Sequence, residues 1–315
     1  MSILREIFYG ERGNQLVRIA ISPIKSLIPK RFHFPVSGNI KVRLSGLDPL
    51  HLNVNPTCYL GKVLYWNGIA GFESGVHQVF KYLIGRADTF VDVGANIGFY
   101  SLMAAKYNPE VKVVCFEPLP ASFKYLKANI LANGAANIDA HQIALSDKSG
   151  TTTFYYSINP KFPFVKDQLT STGSLDKQQA DRTSLLESAD VEQLTLDQFV
   201  NTFKSGQIDL IKLDTEATEH FVLDGAKETI GRFRPIILCE VLPGKVETEI
   251  QSRIESLKYV PFKITDNGLT EVHDLSHDDA GTNDHLFCPQ EKLNDIKGLL
   301  NDDQRDTTTG WFERS

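Results

Sequence analysis

The chain has 315 residues, 42% of them hydrophobic and 23% charged, enough to bury a sizeable core without a disulfide or metal staple. A formal net charge of −6 argues against a surface that grips a polyanion, so no nucleic-acid partner is expected. The most apolar stretch, 16–28, is broken by Arg18, Pro23 and Lys25 and falls short of a membrane-spanning helix of roughly 18 residues; it also lacks a leader's cleavage site, so a cytoplasmic protein is expected.

Residues 1–85 read as an N-terminal extension with short periodicity and frequent turn signals. No acid occurs from Arg12 to Leu47, whereas Arg12, Arg18, Lys25, Lys30, Arg31, Lys41 and Arg43 are basic. This segment, 12–47, reads either as a solvated face or as a contact for anionic lipid at the membrane periphery, a phosphorylated carrier or an acidic partner. Strands are predicted at 39–44 and 62–66, separated by turn residues that include Gly46, Asp48, Pro49 and Asn53. A helix is predicted at 75–83. The four cysteines show no paired spacing, and three fall in apolar, strand-like runs, so they are expected to be buried thiols.

From residue 86 to 290 apolar strands alternate with amphipathic helices, the pattern of an α/β protein with a doubly wound, Rossmann-like sheet. Strands are predicted at 90–93, 111–116, 138–145, 208–213 and 236–239, and helices at 121–132 and 220–230. Residues 151–156 read as an edge strand. The polar stretch 161–189 reads as a mobile loop over the substrate site or as plain disorder. Residues 291–315 read as a C-terminal tail.

The strongest local signal is Phe90-Val91-Asp92-Val93-Gly94-Ala95-Asn96-Ile97-Gly98, a strand that ends in an acid and passes through a glycine turn into a helix. Gly94 and Gly98 allow a tight turn and close approach of a ligand, as in nucleoside-binding folds. The spacing is D-x-G-x-N-x-G and not the G-x-G-x-x-G of a dinucleotide site. Asp92 and Asn96 stand where a pyrophosphate would need bare amides, and a carboxylate there suits the sulfonium and ammonium of S-adenosyl-L-methionine. Glu117 ends the next strand, where an acid accepts ribose hydroxyls; Ala144 and Asp147 follow the third and are candidate adenine contacts. A helix-dipole role for Glu117 and a turn role for Asp147 are the structural alternatives.

The segments TFVDVGANIGFYSL, CFEP, ALSD and IDLIKLDTEATEHFVLDGA resemble, in content and order, the FkbM-type methyltransferases over roughly residues 72–289. The resemblance implies a class I methyltransferase fold and S-adenosylmethionine-dependent transfer of a methyl to oxygen on a small-molecule or glycan acceptor, a hydroxyl of a saccharide, glycolipid or secondary metabolite. It maps cofactor contacts onto Asp92, Gly94, Asn96, Gly98 and Glu117. The family's D-x-E-G-x-E hallmark falls on Asp214, Glu216 and Glu219, with Ala217 in the glycine position. If that glycine has positive φ, Ala217 costs roughly 1 kcal/mol.

Methyl transfer needs alignment of two centres and a base for the acceptor proton. Asp214, Glu216 and Glu219 cluster where the fourth strand ends and are the predicted catalytic acids; they read alternatively as helix-dipole acids, and Glu240 is a further candidate at the same edge. A nicotinamide oxidoreductase, disfavoured by the missing fingerprint, and a cofactor-binding scaffold without turnover are the competing functions.

Overall fold

The computed structural model describes residues 2–301 apart from 171, 181–184, 204–205 and 276–281; of the predicted tail, residues from 302 onward lie outside the described residues. Helices α1 (Ser2–Tyr9) and α2 (Glu11–Ile21) lead to a hairpin of β1 (Gly38–Leu44) and β2 (Leu47–Val54). Asp48, Pro49 and Asn53, read as turn signals, lie inside β2. Leu50, Leu52 and Val54 alternate onto one face, opposite Ile40 and Val42, and burial of that face outweighs the poor strand propensity of the residues between them.

The strand predicted at 62–66 is instead part of α3 (Tyr59–Asn67). Cys58 Sγ accepts the Gly61 amide at the start of α3, and Gly61 packs on Val54, where a Cβ would lie 2.7 Å from that side chain. Tertiary packing overrides the β-branched and aromatic composition of this run. Leu50, Leu52 and Leu64 belong to the same buried cluster as Phe90 and Leu102, so the hairpin and α3 share the core of the larger sheet.

Helix α4 (Ser74–Ile84) precedes the alternation of β3 (Thr89–Val93), α5 (Phe99–Tyr107), β4 (Lys112–Phe116), α6 (Pro120–Asn133) and β5 (Ile138–His141). The apolar run 138–145 is not one strand. After β5 it changes partners, and β6 (Ala144–Leu145) joins a second sheet of order β6-β8-β7, in which β7 is Gly150–Ser157 and β8 is Leu186–Leu194. The polar segment between β7 and β8 carries α7 (Lys177–Ala180) and ends before Leu186, because 186–189 pairs with β7.

The remaining strands and longer helices are α8 (Leu196–Phe203), β9 (Leu210–Leu213), α9 (Glu219–Asp224), α10 (Lys227–Phe233), β10 (Ile236–Glu240), α11 (Glu247–Ser256), β11 (Tyr259–Thr265), β12 (Gly268–Glu271) and β13 (Asp284–Pro289); the start of the predicted tail forms a short helix, α12 (Leu293–Ile296), between 3₁₀ turns, with Ile296 and Leu300 buried. The helix predicted at 220–230 is thus two. Gly225 lies against the Ser146 carbonyl, 2.0 Å from where a Cβ would sit, and the Asp197 carboxylate caps a new start by accepting the Glu228 and Thr229 amides.

The main sheet has eight strands in the order β12-β11-β13-β10-β9-β3-β4-β5, parallel from β10 to β5, with β13 antiparallel to β10. Its inner strands are buried on both faces, which explains their continuous apolar runs. The chain order reverses between β3 and β9, and a crevice opens there at the carboxyl ends of the strands. All four cysteines are buried free thiols. Among the described residues no helix is long and apolar enough to cross a membrane.

Candidate active site

A cavity of about 290 Å³ fills this crevice. Asp92, Gly94, Asn96, Glu117, Ala144, Asp214 and Glu216 all line it, whereas Gly98, Asp147 and Glu219 do not. Gly98, at φ +87, is a packing residue: a Cβ there would meet Leu126 at 2.5 Å. Asp147 is exposed and accepts the Ser146 hydroxyl at 3.1 Å.

The turn after β3 is held from both sides. Gly94, at φ +83, lies so close to the chain after β9 that a Cβ would sit 1.9 Å from the Asp214 carbonyl. Asn96 adopts φ +50, donates its amide to Glu117 Oε2 at 2.9 Å and donates Nδ2 to the Thr170 carbonyl at 3.1 Å. Glu117 Oε1 accepts the Leu119 amide at 2.9 Å. Burial pushes the Glu117 carboxyl up to about 7 against these two hydrogen bonds. Each of its oxygens keeps an acceptor site for a hydroxyl.

Asp92 is buried and accepts the Ser101 hydroxyl at 2.6 Å. Burial raises its pKa, and Lys212, its register partner on β9, opposes that rise. Lys212 was not singled out from the sequence; a lysine inside a wholly buried strand was the available signal. Its Nζ donates to Asp214 Oδ2 at 2.7 Å and lies 4.4 Å from the Tyr100 ring centroid. Burial alone would lower this ammonium, but Asp214, Glu73 and Asp92 outweigh it and hold the charge.

Glu73 was also missed, because an acid just before a helix reads as an ordinary dipole partner. It sits at φ +46 before α4, accepts the Tyr100 hydroxyl and lines the cavity. Burial and the nearby Asp284 push its carboxyl up, with Lys212 opposing. One lysine cannot neutralise every acid around it, so Lys212 stays charged while Glu73, Asp92 and Glu240 rise. Glu240 is pushed up likewise by burial, Asp214 and Glu216.

After β9 the backbone is left-handed at two successive residues, Glu216 at φ +56 and Ala217 at φ +69. Ala217, in the position of the family's glycine, thus carries a positive φ, the condition under which an alanine there costs roughly 1 kcal/mol. Glu219 is fully buried and fastens this turn: its Oε1 accepts the Thr215 amide at 2.7 Å and the Thr215 hydroxyl at 3.0 Å. Burial pushes its carboxyl up to about 7. Asp214, Glu216 and Glu240 converge, each with one oxygen within 4.8 Å of the others', a spacing that also suits a hard divalent cation.

The lining fits a cationic nucleoside ligand and not a diphosphate. It includes the carboxylates of Glu73, Asp92, Glu117, Asp214, Glu216 and Glu240, and Lys212 is the one basic side chain among its described residues. Sheet order, glycine turn and acidic lining together define a class I methyltransferase that uses S-adenosyl-L-methionine.

The family model described as the Methyltransferase FkbM domain matches residues 92–268, more than half of the chain. "Methyltransferase sdnD" of Sordaria araneosa is 30% identical over 183 residues, covering 52% of this chain and 71% of that protein. "31-O-demethyl-FK506 methyltransferase FkbM" of Streptomyces tacrolimicus is 30% identical over 157 residues, covering 45% and 60%. The crystal structure of methyltransferase FkbM from Methylobacillus flagellatus overlays 73% of this chain and 54% of its own at 16% identity, with a TM-score of 0.43, too low to add to what the sheet order shows. The chain belongs to the FkbM family of S-adenosylmethionine-dependent methyltransferases.

Proposed function

We propose that the chain transfers a methyl group to a hydroxyl of an uncharged saccharide, glycolipid or secondary metabolite, in the cytoplasm. The observation that carries this reading is the convergence of Asp214, Glu216 and Glu240 in the cavity that also holds the turn after β3. S-adenosylmethionine supplies an electrophilic methyl on a sulfonium. Gly94 and Asn96 would shape its bed, Asp92 would face its cationic end, Glu117 would accept ribose hydroxyls and Ala144 would border the adenine. Asp214, held by Lys212, would orient the acceptor hydroxyl, and Glu216 would take its proton, because Glu240, pushed up to about 9, already carries one near neutral pH. Glu219 supports them by fastening the turn. An acidic lining with one lysine disfavours a phosphorylated acceptor. The Streptomyces relative is named for 31-O-demethyl-FK506, which supports oxygen as the acceptor atom.

The test is transfer of labelled methyl from S-adenosylmethionine to fractionated saccharides, glycolipids and secondary metabolites. Asp214→Asn or Glu216→Gln is expected to lower kcat by about 10²- to 10⁴-fold while S-adenosylhomocysteine still binds, and EDTA is expected to leave the rate unchanged. Full turnover in both variants would refute the chemistry placed at this turn; binding of NAD in place of S-adenosylhomocysteine would refute the cofactor site.

A further inference from the structure

Helix α2 is built inside out. Asn14 and Arg18, one turn apart, are 0% and 9% exposed, while Leu16 and Ile19 on the other side are 68% and 62% exposed. The polar pair is fixed to the protein by its own chemistry. Asn14 Oδ1 accepts the Ser37 amide at 2.9 Å and Nδ2 donates to the Pro35 carbonyl at 3.2 Å; Arg18 donates to the Ser37 and Asn39 carbonyls at 2.8 and 3.1 Å. Rotating the helix to hide Leu16 and Ile19 would therefore strip several buried polar groups of their partners.

The inversion extends to the neighbouring elements. Leu4 and Ile7 of α1 and Ile24 and Leu27 of the 3₁₀ segment Ser22–Leu27 are exposed at the same three-residue spacing, followed by exposed Phe32. Among the described residues, seven of the eleven large apolar side chains that are exposed lie between Leu4 and Phe32, so the patch is a local feature and not the general character of the surface. Exposed Arg5, Arg12, Lys30 and Arg31 stand among them and outnumber the exposed acids of this face, Glu6 and Glu11; after Glu11 no acid follows until Asp48.

We infer that this face, residues 4–32, docks on an anionic lipid bilayer, its apolar side chains entering the acyl boundary and its cations meeting the headgroups. Charge selects this occupant. A second copy meeting the face symmetrically would double its excess of positive charge, whereas a negative surface would neutralise it, and the rest of a chain of net charge −6 gives this face no other reason to gather its cations around exposed apolar side chains. The docked face adjoins the cavity's cover: the ring of Tyr9 in α1 packs edge-on against Phe162 at 5.1 Å, and the segment carrying Phe162 reaches the cavity through Thr170, Gly173 and Leu175.

Vesicle co-sedimentation of the full chain tests this. Binding to phosphatidylcholine vesicles containing roughly 30% phosphatidylserine is expected to exceed binding to pure phosphatidylcholine by about tenfold or more and to weaken in high salt. The pairs Leu16→Glu with Ile19→Glu and Lys30→Glu with Arg31→Glu are each expected to reduce it about tenfold, with S-adenosylhomocysteine affinity unchanged as evidence of an intact fold. Absence of binding, or equal binding by the variants, would overturn the inference. So would a dimer that binds no lipid and that the Leu16 and Ile19 substitutions dissociate, since a second copy would then be what covers the face.

Discussion

The turns after β3 and β9 lie side by side where the strand order reverses, yet they reach left-handed backbone by different means. The first places glycine at two such positions, Gly94 and Gly98, and a hydrogen-bonding residue, Asn96, at the third. Between β9 and α9 the chain uses Glu216 and Ala217, for which the same conformation costs about 1 kcal/mol each. That strain is held by the buried Glu219 carboxylate on Thr215 and by the Thr218 hydroxyl on the Thr215 carbonyl. The first turn thus owes its shape to backbone freedom, the second to side chains that clamp it. The contrast locates the acid-bearing turn, the one assigned chemistry above, on the more strained and more tightly fastened backbone.

The comparison breaks most severely at Gly94. Alanine there would meet the Asp214 carbonyl at 1.9 Å, so Gly94→Ala should displace both turns at once, destabilise the fold by about 2 to 4 kcal/mol and abolish S-adenosylhomocysteine binding. Urea unfolding and calorimetry read the two effects, and tight binding by this variant would show that the turns are not mutually dependent.

Glu219 is next. Its carboxyl rises from an ordinary 4.5 to about 7 on folding because it is buried. The folded chain then binds more protons than the unfolded one between these values, so this contribution to stability is complete below about pH 4.5 and is lost as pH rises through 7, by at most about 3 kcal/mol. Glu219→Gln keeps an acceptor for Thr215 and removes the titration. The difference in urea stability between variant and parent should therefore shift in the variant's favour from pH 5 to pH 8; a constant difference would place the ionisation elsewhere.

The smallest effect sharpens the contrast. Ala217→Gly should relieve φ +69 and stabilise the fold by up to about 1 kcal/mol, visible as a higher urea midpoint, while Gly at Glu216 would also remove a lining carboxylate and so confound strain with function. A lower midpoint for Ala217→Gly would mean that the alanine methyl, buried at this position, contributes more by packing than its backbone loses.

The amino-acid sequence by itself determined the alternating α/β core, its glycine turn, the acids that end the β3, β4 and β9 strands and the family to which they point, because each rests on local periodicity or on residues close along the chain. It could not show that 62–66 would coil into α3, that 138–145 would divide between two sheets, or that 220–230 would break at Gly225, since packing against Val54, strand partners and the Ser146 carbonyl decided these. Glu240 was already a candidate at that edge, but Glu73, Tyr100 and Lys212 join it at one crevice only because the sheet and the helices on it bring distant segments together. The inverted face of α2 has the same origin: apolar spacing alone would have turned Leu16 and Ile19 inward, and the hydrogen bonds of Asn14 and Arg18 to residues beyond the helix turned them out.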